Sequence, residues 1–268
     1  MIPFPADREV KHAQSKDSDP LYRKRKSLGR KAWRSGGMLV RSRKPDILLS
    51  WMPRGGVAAE VVKGVHLIET YANCALYTDG RLVLVDSGEE LDARDIFAYF
   101  REIRHSPTDL ASIVVTHEHP DHVGGLAALK SKEPGAKVAA HRDDADYVAR
   151  TKVYPWPPGP QTHRAVDVDV RLEDGQRYEG FIVIHTPGHT PGSIALLDTE
   201  RKILVAGDSI ENSPELGPLP DGVNVDPRQH RRSIKKLAEY DYDVILFGHG
   251  PPIMEDGRAR VAAPAAKL

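Results

Sequence analysis

The sequence predicts an α/β fold of four layers, an αββα sandwich with two sheets face to face and helices outside. Three observations carry that expectation. Short apolar runs rich in β-branched residues come in two series, each with hairpins first and strand–helix units later. Most of these runs end in polar or glycine punctuation, so chemistry is expected at the loops along one edge. The chain has 268 residues, 40 % of them apolar, which suits one α/β domain with a large core.

The first 44 residues hold 13 Lys/Arg against 4 Asp/Glu, with few apolar residues and no steady period. Residues 1–50 are therefore expected to be a basic, disordered tail, and residues 57–255 the folded domain. Met38 and Met52 are alternative starts. Thr78-Asp79-Gly80-Arg81 is a turn joining strands 74–77 and 82–85. Residues 89–104 place Leu91, Ile96, Phe97, Phe100 and Ile103 near helical spacing, with acids at the front. Pro107 breaks that helix before a buried strand at 111–115.

A second helix runs from Val123 to near Pro134-Gly135, followed by a strand at 137–140 and a helix at 143–150. Residues 154–160, YPWPPGP, are too proline-rich for regular structure, and form either a rim over a site or a connector. Strands are expected at 166–170 and 181–184 around Glu173-Asp174-Gly175, and a hairpin at 193–197 and 202–206. A second Pro/Gly-rich loop spans 212–227. A helix at 228–240 shows Ile234, Leu237 and Ala238 on its apolar face, the last strand is 243–247, and 256–268 is a C-terminal tail.

Composition excludes several classes. One cysteine, Cys74, permits no disulfide framework within the chain, and its place in an apolar run makes it a core residue. No apolar run approaches the roughly 18 residues of a membrane span. The N-terminal region lacks an apolar signal core, so a cytoplasmic protein with no membrane partner is expected. The basic tail offers a possible nucleic-acid contact. Oligomeric state leaves no signal.

The densest chemistry is at 116–125, THEHPDHVGG, where a buried strand hands over to a helix. Residues two apart in extended chain point the same way, so His117 and His119 can converge. Pro120 suits the first turn of a helix, from which Asp121 and His122 project toward a second point. Neutral imidazole and carboxylate suit zinc or iron. Three further candidates follow apolar strands beside a glycine: His189 in HTPGHTPGS, Asp208 in AGD, and His249 in FGHGP. Four strand ends offering His or Asp can meet at one edge of a sandwich. His66, His105, His141, His163, His185 and His230 lack a partner at ligand spacing.

The string His117-x-His119-x-Asp121-His122, with His189, Asp208 and His249 following in order, resembles the metallo-β-lactamase superfamily. Leu84-Val85-Asp86-Ser87-Gly88 is similar to that family's strand-end acidic motif. The resemblance covers residues 65–252. It implies the metallo-β-lactamase fold and two Zn²⁺ ions, with iron or manganese as other occupants. His117, His119 and His189 would hold one ion; Asp121, His122 and His249 the second; Asp208 would bridge them. Asp86 would be structural. The implied activity is hydrolysis of a small-molecule ester, thioester or lactone by a metal-bridging hydroxide, with Asp121 orienting the nucleophile or passing a proton to the leaving group.

Departures narrow the resemblance to a glyoxalase II-like core. The cysteine that the best-known β-lactamases use is Asp208 here. The 19 residues after His249 leave no room for a glutathione-binding helical region. No tyrosine lies between Ser209 and Glu239, unlike quorum-quenching lactonases. Flavodiiron proteins have Glu where His119 stands. Two rivals share the motif: a mononuclear-iron persulfide dioxygenase-like enzyme, and a ribonuclease Z-like nuclease that grips RNA with the basic tail.

Overall fold

In a computed structural model describing residues 58–153 and 162–268, the strands form two main sheets. The first takes β1 (Ala58–Val62), β2 (Val65–Ile68), β3 (Cys74–Tyr77), β4 (Leu82–Val85), β5 (Leu110–Val115), β6 (Lys137–His141) and β7 (Val170–Leu172) in that spatial order. Pairing is antiparallel from β1 to β4 and parallel from β4 to β7. The second sheet has the order β14 (Val244–Phe247), β11 (Ile203–Gly207), β10 (Ile194–Asp198), β9 (Phe181–His185), β8 (Arg177–Tyr178). Only β11 and β14 run parallel there. The basic segment 1–50 and the Pro-rich stretch 154–160 lie outside the described residues.

Successive strand side chains point to opposite faces, and here both faces are covered. Ala75, Tyr77, Val83 and Val85 of the first sheet meet Ile194, Leu196, Val244 and Leu246 of the second in one central core. The alternate residues Leu76, Leu84 and Ile113 face an outer core with α1 (Arg94–Glu102) and α3 (Leu126–Lys132). Ala195, Leu197, Ile245 and Phe247 face the other outer core with α5 (Pro227–Leu237) and α6 (Gly257–Ala265). That is the expected four-layer sandwich. It explains why inner strands such as β4 (LVLV) and β14 (VILF) are apolar without interruption: each middle layer is buried twice.

Local chemistry sets the helix ends. Asp226 caps α5 by accepting from the Gln229 backbone N–H at 2.9 Å, with Pro227 at the first helical position. Ile234 and Leu237 on its inner face are fully buried, each worth ~1.5–3 kcal/mol. The helix expected at 89–104 begins only at Arg94, and Leu91 is 42 % exposed. Packing explains the delay. The backbone at Ser87–Glu90 lies directly against Gly124 and Gly125, so closely that a Cβ at either glycine would meet the carbonyls of Ser87 and Glu89. Those residues are held in a turn that cannot also be helix.

Two further expectations change. The turn Glu173-Asp174-Gly175 does not join neighbouring strands: β7 pairs with β6 in the first sheet, while β8 and β9 lie in the second. The chain crosses between sheets there, and 166–169 are not strand. Residues 256–268, expected as a tail, carry α6, which buries Val261 and Ala265 against α5. Between β11 and α5 the loop 212–227 holds a small hairpin, β12 (Glu211–Asn212) and β13 (Leu216–Gly217), and a short 3₁₀ turn at Asp221–Val223.

Candidate metal centre

All seven sequence-predicted residues come together at one edge of the sandwich. His117 and His119 follow β5 in extended chain. Asp121 and His122 project from α2 (Pro120–Val123), with Pro120 at its first position. His189 lies in the turn between β9 and β10; Asp208 directly follows β11, and His249 lies two residues beyond the end of β14. The parallel pairing of β11 with β14 is what sets Asp208 beside His249. Gly248 makes that approach possible, because a Cβ there would collide with the Asp208 carboxylate and the His122 ring.

Three groups of donor atoms form, each within 4.8 Å: His117, His119 and His189; His117, His122 and Asp208; Asp121, His122 and His249. His117 Nε2 stands 3.1 Å from His119 Nδ1, and His249 Nε2 is 3.3 Å from Asp121 Oδ2. Asp208 faces both sides. Its Oδ2 lies 3.5 Å from His189 Nε2, 3.4 Å from His249 Nε2 and 4.0 Å from His117 Nε2, and its Oδ1 lies 3.4 Å from His122 Nε2.

The donor set fits divalent cations. Ligands on tetrahedral zinc at ~2.1 Å stand ~3.4 Å from one another, close to these separations. His122 Nε2, His189 Nε2 and Asp208 Oδ1 are buried without hydrogen-bond partners, and all three point into the cluster. A buried polar atom left unpaired is costly, and a cation would satisfy all three.

Outer partners decide which ring nitrogen faces inward. Asp86 Oδ2 accepts from His122 Nδ1 at 2.8 Å, and the same carboxylate accepts from the Thr116 backbone N–H and hydroxyl, both at 2.7 Å. Asp86 holds this place in a left-handed conformation, φ 61°. Ser87 adds its N–H and hydroxyl to the His122 carbonyl at 2.7 and 2.9 Å. His189 Nδ1 donates to Asn224 Oδ1 at 3.2 Å, and the Asn224 amide nitrogen donates to the Leu219 and Pro220 carbonyls. His249 Nδ1 donates to the Tyr71 carbonyl at 3.1 Å. His122, His189 and His249 thus turn Nε2 inward, and His119 turns Nδ1. Glu118, flanked by two of these histidines, is buried, with Oε1 3.9 Å from the outer nitrogen of His119.

Charge is divided across the centre. Burial pushes His117 and His189 down, His189 to about 3, and the neighbouring rings add to that. Burial also opposes charge on His122, but Asp208 and Asp86 overcome it and raise His122 to about 10. His249 rises likewise against burial, through Asp208 and Asp121. Burial would raise the Asp121 and Asp208 carboxyls, yet His249 and His122 hold both below the usual range. Protons on His122 and His249 occupy the place where a cation would sit, so metal uptake displaces them.

Four of the remaining described histidines are engaged elsewhere. His66 bonds Tyr99 and Thr78, and His163 Nε2 meets the Val148 carbonyl. His141 and His185 stack at 3.8 Å and 15°, and His185 Nε2 donates to the Pro191 carbonyl. With Asp143 they form a fourth cluster of donors, but stacked rings hold their lone pairs parallel rather than convergent. Cys74 is fully buried, and burial pushes its thiol up, as a core residue's would be. Sequence reasoning left the roles of Asn224 and the Tyr71 carbonyl unassigned. Asn224 sits in an aperiodic loop, and a backbone carbonyl carries no residue signal.

A sandwich with a His/Asp cage of this kind at one edge defines a metal-dependent class of protein. The chain belongs to the metallo-β-lactamase superfamily, whose sequence profile matches residues 67–249. It is 35 % identical over 166 residues to a hydroxyacylglutathione hydrolase of Pseudomonas paraeruginosa, covering 60 % of this chain and 53 % of that protein. The chain thus spans about half the length of that relative. It is 28 % identical over 236 residues to a probable metallo-hydrolase of Bacillus subtilis, covering 75 % of this chain and 89 % of that one. Among solved structures, a metallo-β-lactamase from Cronobacter sakazakii superposes with TM-score 0.62 at 26 % identity, covering 76 % of this chain and 88 % of that chain. A subclass B3 metallo-β-lactamase of Bradyrhizobium japonicum shares the fold, with TM-score 0.62, 19 % identity, and coverage of 79 % and 90 %. Among the described residues no helix is long and apolar enough to cross a membrane.

Proposed function

We propose that this protein is a two-zinc hydrolase of a small ester, thioester or lactone. His117, His119 and His189 hold one ion, and Asp121, His122 and His249 the other. The observation that carries the reading is Asp208, whose two oxygens reach the donors of both groups, as a bridging carboxylate must. The hydroxyacylglutathione hydrolases among the relatives support an acyl substrate.

Two zinc ions, when bound, supply Lewis acidity and a hydroxide nucleophile at neutral pH. The chain supplies orientation. Asp121 and His249 are the more open members, with side chains 23 % and 17 % exposed, whereas His117, His122, His189 and Asp208 are closed in. Substrate therefore approaches over Asp121, His249 and His119. Asp121 is held ionised on that open side, where it can orient the nucleophile and pass a proton to the leaving group. Loop 212–227 supplies Asn224 behind His189 and flanks His249 through the Asn212 N–H to the His249 carbonyl. Its contacts with His189 and His249 support a role for this loop in substrate selection.

The test is metal analysis of protein purified without added metal, with a screen of thioesters, lactones and aryl esters against the zinc-loaded form. Two zinc per chain and turnover in one of these classes is the expected result. About one iron, no zinc and no hydrolysis would sink the proposal in favour of an iron enzyme.

A further inference from the structure

Asp144 lies outside the cage, three residues into α4 (Arg142–Val148), and its side chain is wholly buried. A buried carboxylate in an αββα core is expensive unless donors satisfy it. Three donors do, from two separate loops. Oδ2 accepts from the Glu118 backbone N–H at 3.1 Å, between His117 and His119. Oδ2 also accepts from the Thr190 hydroxyl at 2.6 Å, and Oδ1 from the Gly192 N–H at 2.6 Å, in the turn that carries His189. Ser193 extends the tie: its hydroxyl accepts from the Thr190 N–H at 3.0 Å and stands 2.7 Å from the Thr190 hydroxyl.

This contact accounts for much of the HTPGHTPGS string that ligation leaves unexplained. A Cβ on Gly192 would lie 2.5 Å from the Asp144 backbone nitrogen and 2.6 Å from its carboxyl carbon, so only glycine permits the approach. Thr190 and Ser193 supply hydroxyls where an apolar residue would leave the carboxylate underbonded. Burial pushes the Asp144 carboxyl up to about 6, against the donors from Thr190, Gly192 and Glu118, which leaves it ionised at neutral pH with both oxygens accepting.

We infer that Asp144 is a positioning residue of the metal centre: it ties the backbone between His117 and His119 to the turn bearing His189, and so sets the spacing of one ion's three nitrogens. The inference rests on the reading of the cage as a metal centre. A brace of the fold alone would affect melting; a brace of the ligand loops affects the metal's affinity and coordination geometry in protein that remains folded.

The experiment titrates Co²⁺ into metal-free wild type, Asp144→Asn and Thr190→Val, against a chromophoric chelator. It records visible absorption, circular dichroism and thioester kinetics. Asn keeps the shape but turns an amide donor toward a backbone donor. The expected result is a native circular dichroism spectrum, a ~10- to ~100-fold loss of affinity for one of two cobalt ions, an altered cobalt spectrum, and a kcat that falls more than KM rises. Thr190→Val, which removes one of the three donors to Asp144, should shift the same readouts by less. If Asp144→Asn does not fold, Thr190→Val decides alone. Wild-type affinity and an unaltered cobalt spectrum in a folded variant overturn the inference and leave the two-metal reading standing. Wild type that binds no cobalt overturns both.

Discussion

The two sides of the cage are built differently. The first-sheet side packs His117, His119, Asp121 and His122 into one strand–helix junction, where a single local conformation aims all four. The second-sheet side collects His189, Asp208 and His249 from three strand ends that meet only after the sheet has formed. Their supports differ in the same way. His122 is held by a charged partner, Asp86, whereas His189 and His249 lean on an amide and a main-chain carbonyl. A local ligand set draws its precision from backbone stereochemistry; a dispersed one depends on packing between layers.

That contrast can be broken most severely at the second-sheet residue whose carboxylate reaches donors on both sides. Asp208→Ala should lower metal content at both positions and reduce kcat/KM by more than the ~100-fold that loss of a supporting residue costs. Retention of two metals in that variant, by elemental analysis, would remove Asp208 as the bridge. Next in size, His119→Ala and His249→Ala should each lose one ion and hydrolysis. Loss of both ions from His249→Ala but one from His119→Ala would show that the local side depends on the dispersed one, and not the reverse.

The outer partners sharpen the comparison further. Asp86→Asn and Asn224→Ala should each weaken one ion by ~10- to ~100-fold in chelator competition. Asp86→Asn should be the larger, because a charged acceptor holds its histidine more strongly than an amide does. Equal effects would mean that charge in the support is irrelevant.

The smallest effect concerns stability away from the cage. Burial, then the stacked His185, pushes His141 down to about 4, so the folded state leaves it neutral. An unfolded histidine titrates near ~6.5. Between those values the unfolded chain takes up a proton that the folded chain does not. The contribution is complete above about 6.5 and is lost as pH falls toward about 4. Melting temperatures of metal-free wild type and His141→Asn at neutral and mildly acidic pH test this. The wild type should fall further, by about 2–4 °C per kcal/mol of difference. Parallel falls would show that His141 carries none of it.

The same division governs what the sequence makes legible. THEHPDH is contiguous, and its spacing alone gives the convergence of His117 with His119. His189, Asp208 and His249 are legible only as strand ends beside glycine, and their assignment to one cage came from the order of the motifs. Helix α6 left no trace, because its buried side is Val261 and Ala265 in an alanine-rich run with no apolar stripe. The crossing at Glu173-Asp174-Gly175 was equally hidden: a turn between apolar strands looks the same whether it closes a hairpin or changes sheets. The late start of α1 follows from contact with Gly124 and Gly125, which lie far from it in sequence.

Because the cage draws donors from both sheets, a cation held there would close the seam between the layers, and its full set of donors converges only in the folded chain. Linkage then makes thermal stability a gauge of free metal: ~2.7 kcal/mol is gained when the ion stands at a hundred times its dissociation constant. In a metal-poor setting the same seam opens more readily. A chelator would therefore act on this protein as a mild denaturant, exposing it to proteolysis while every residue of the chain is unchanged.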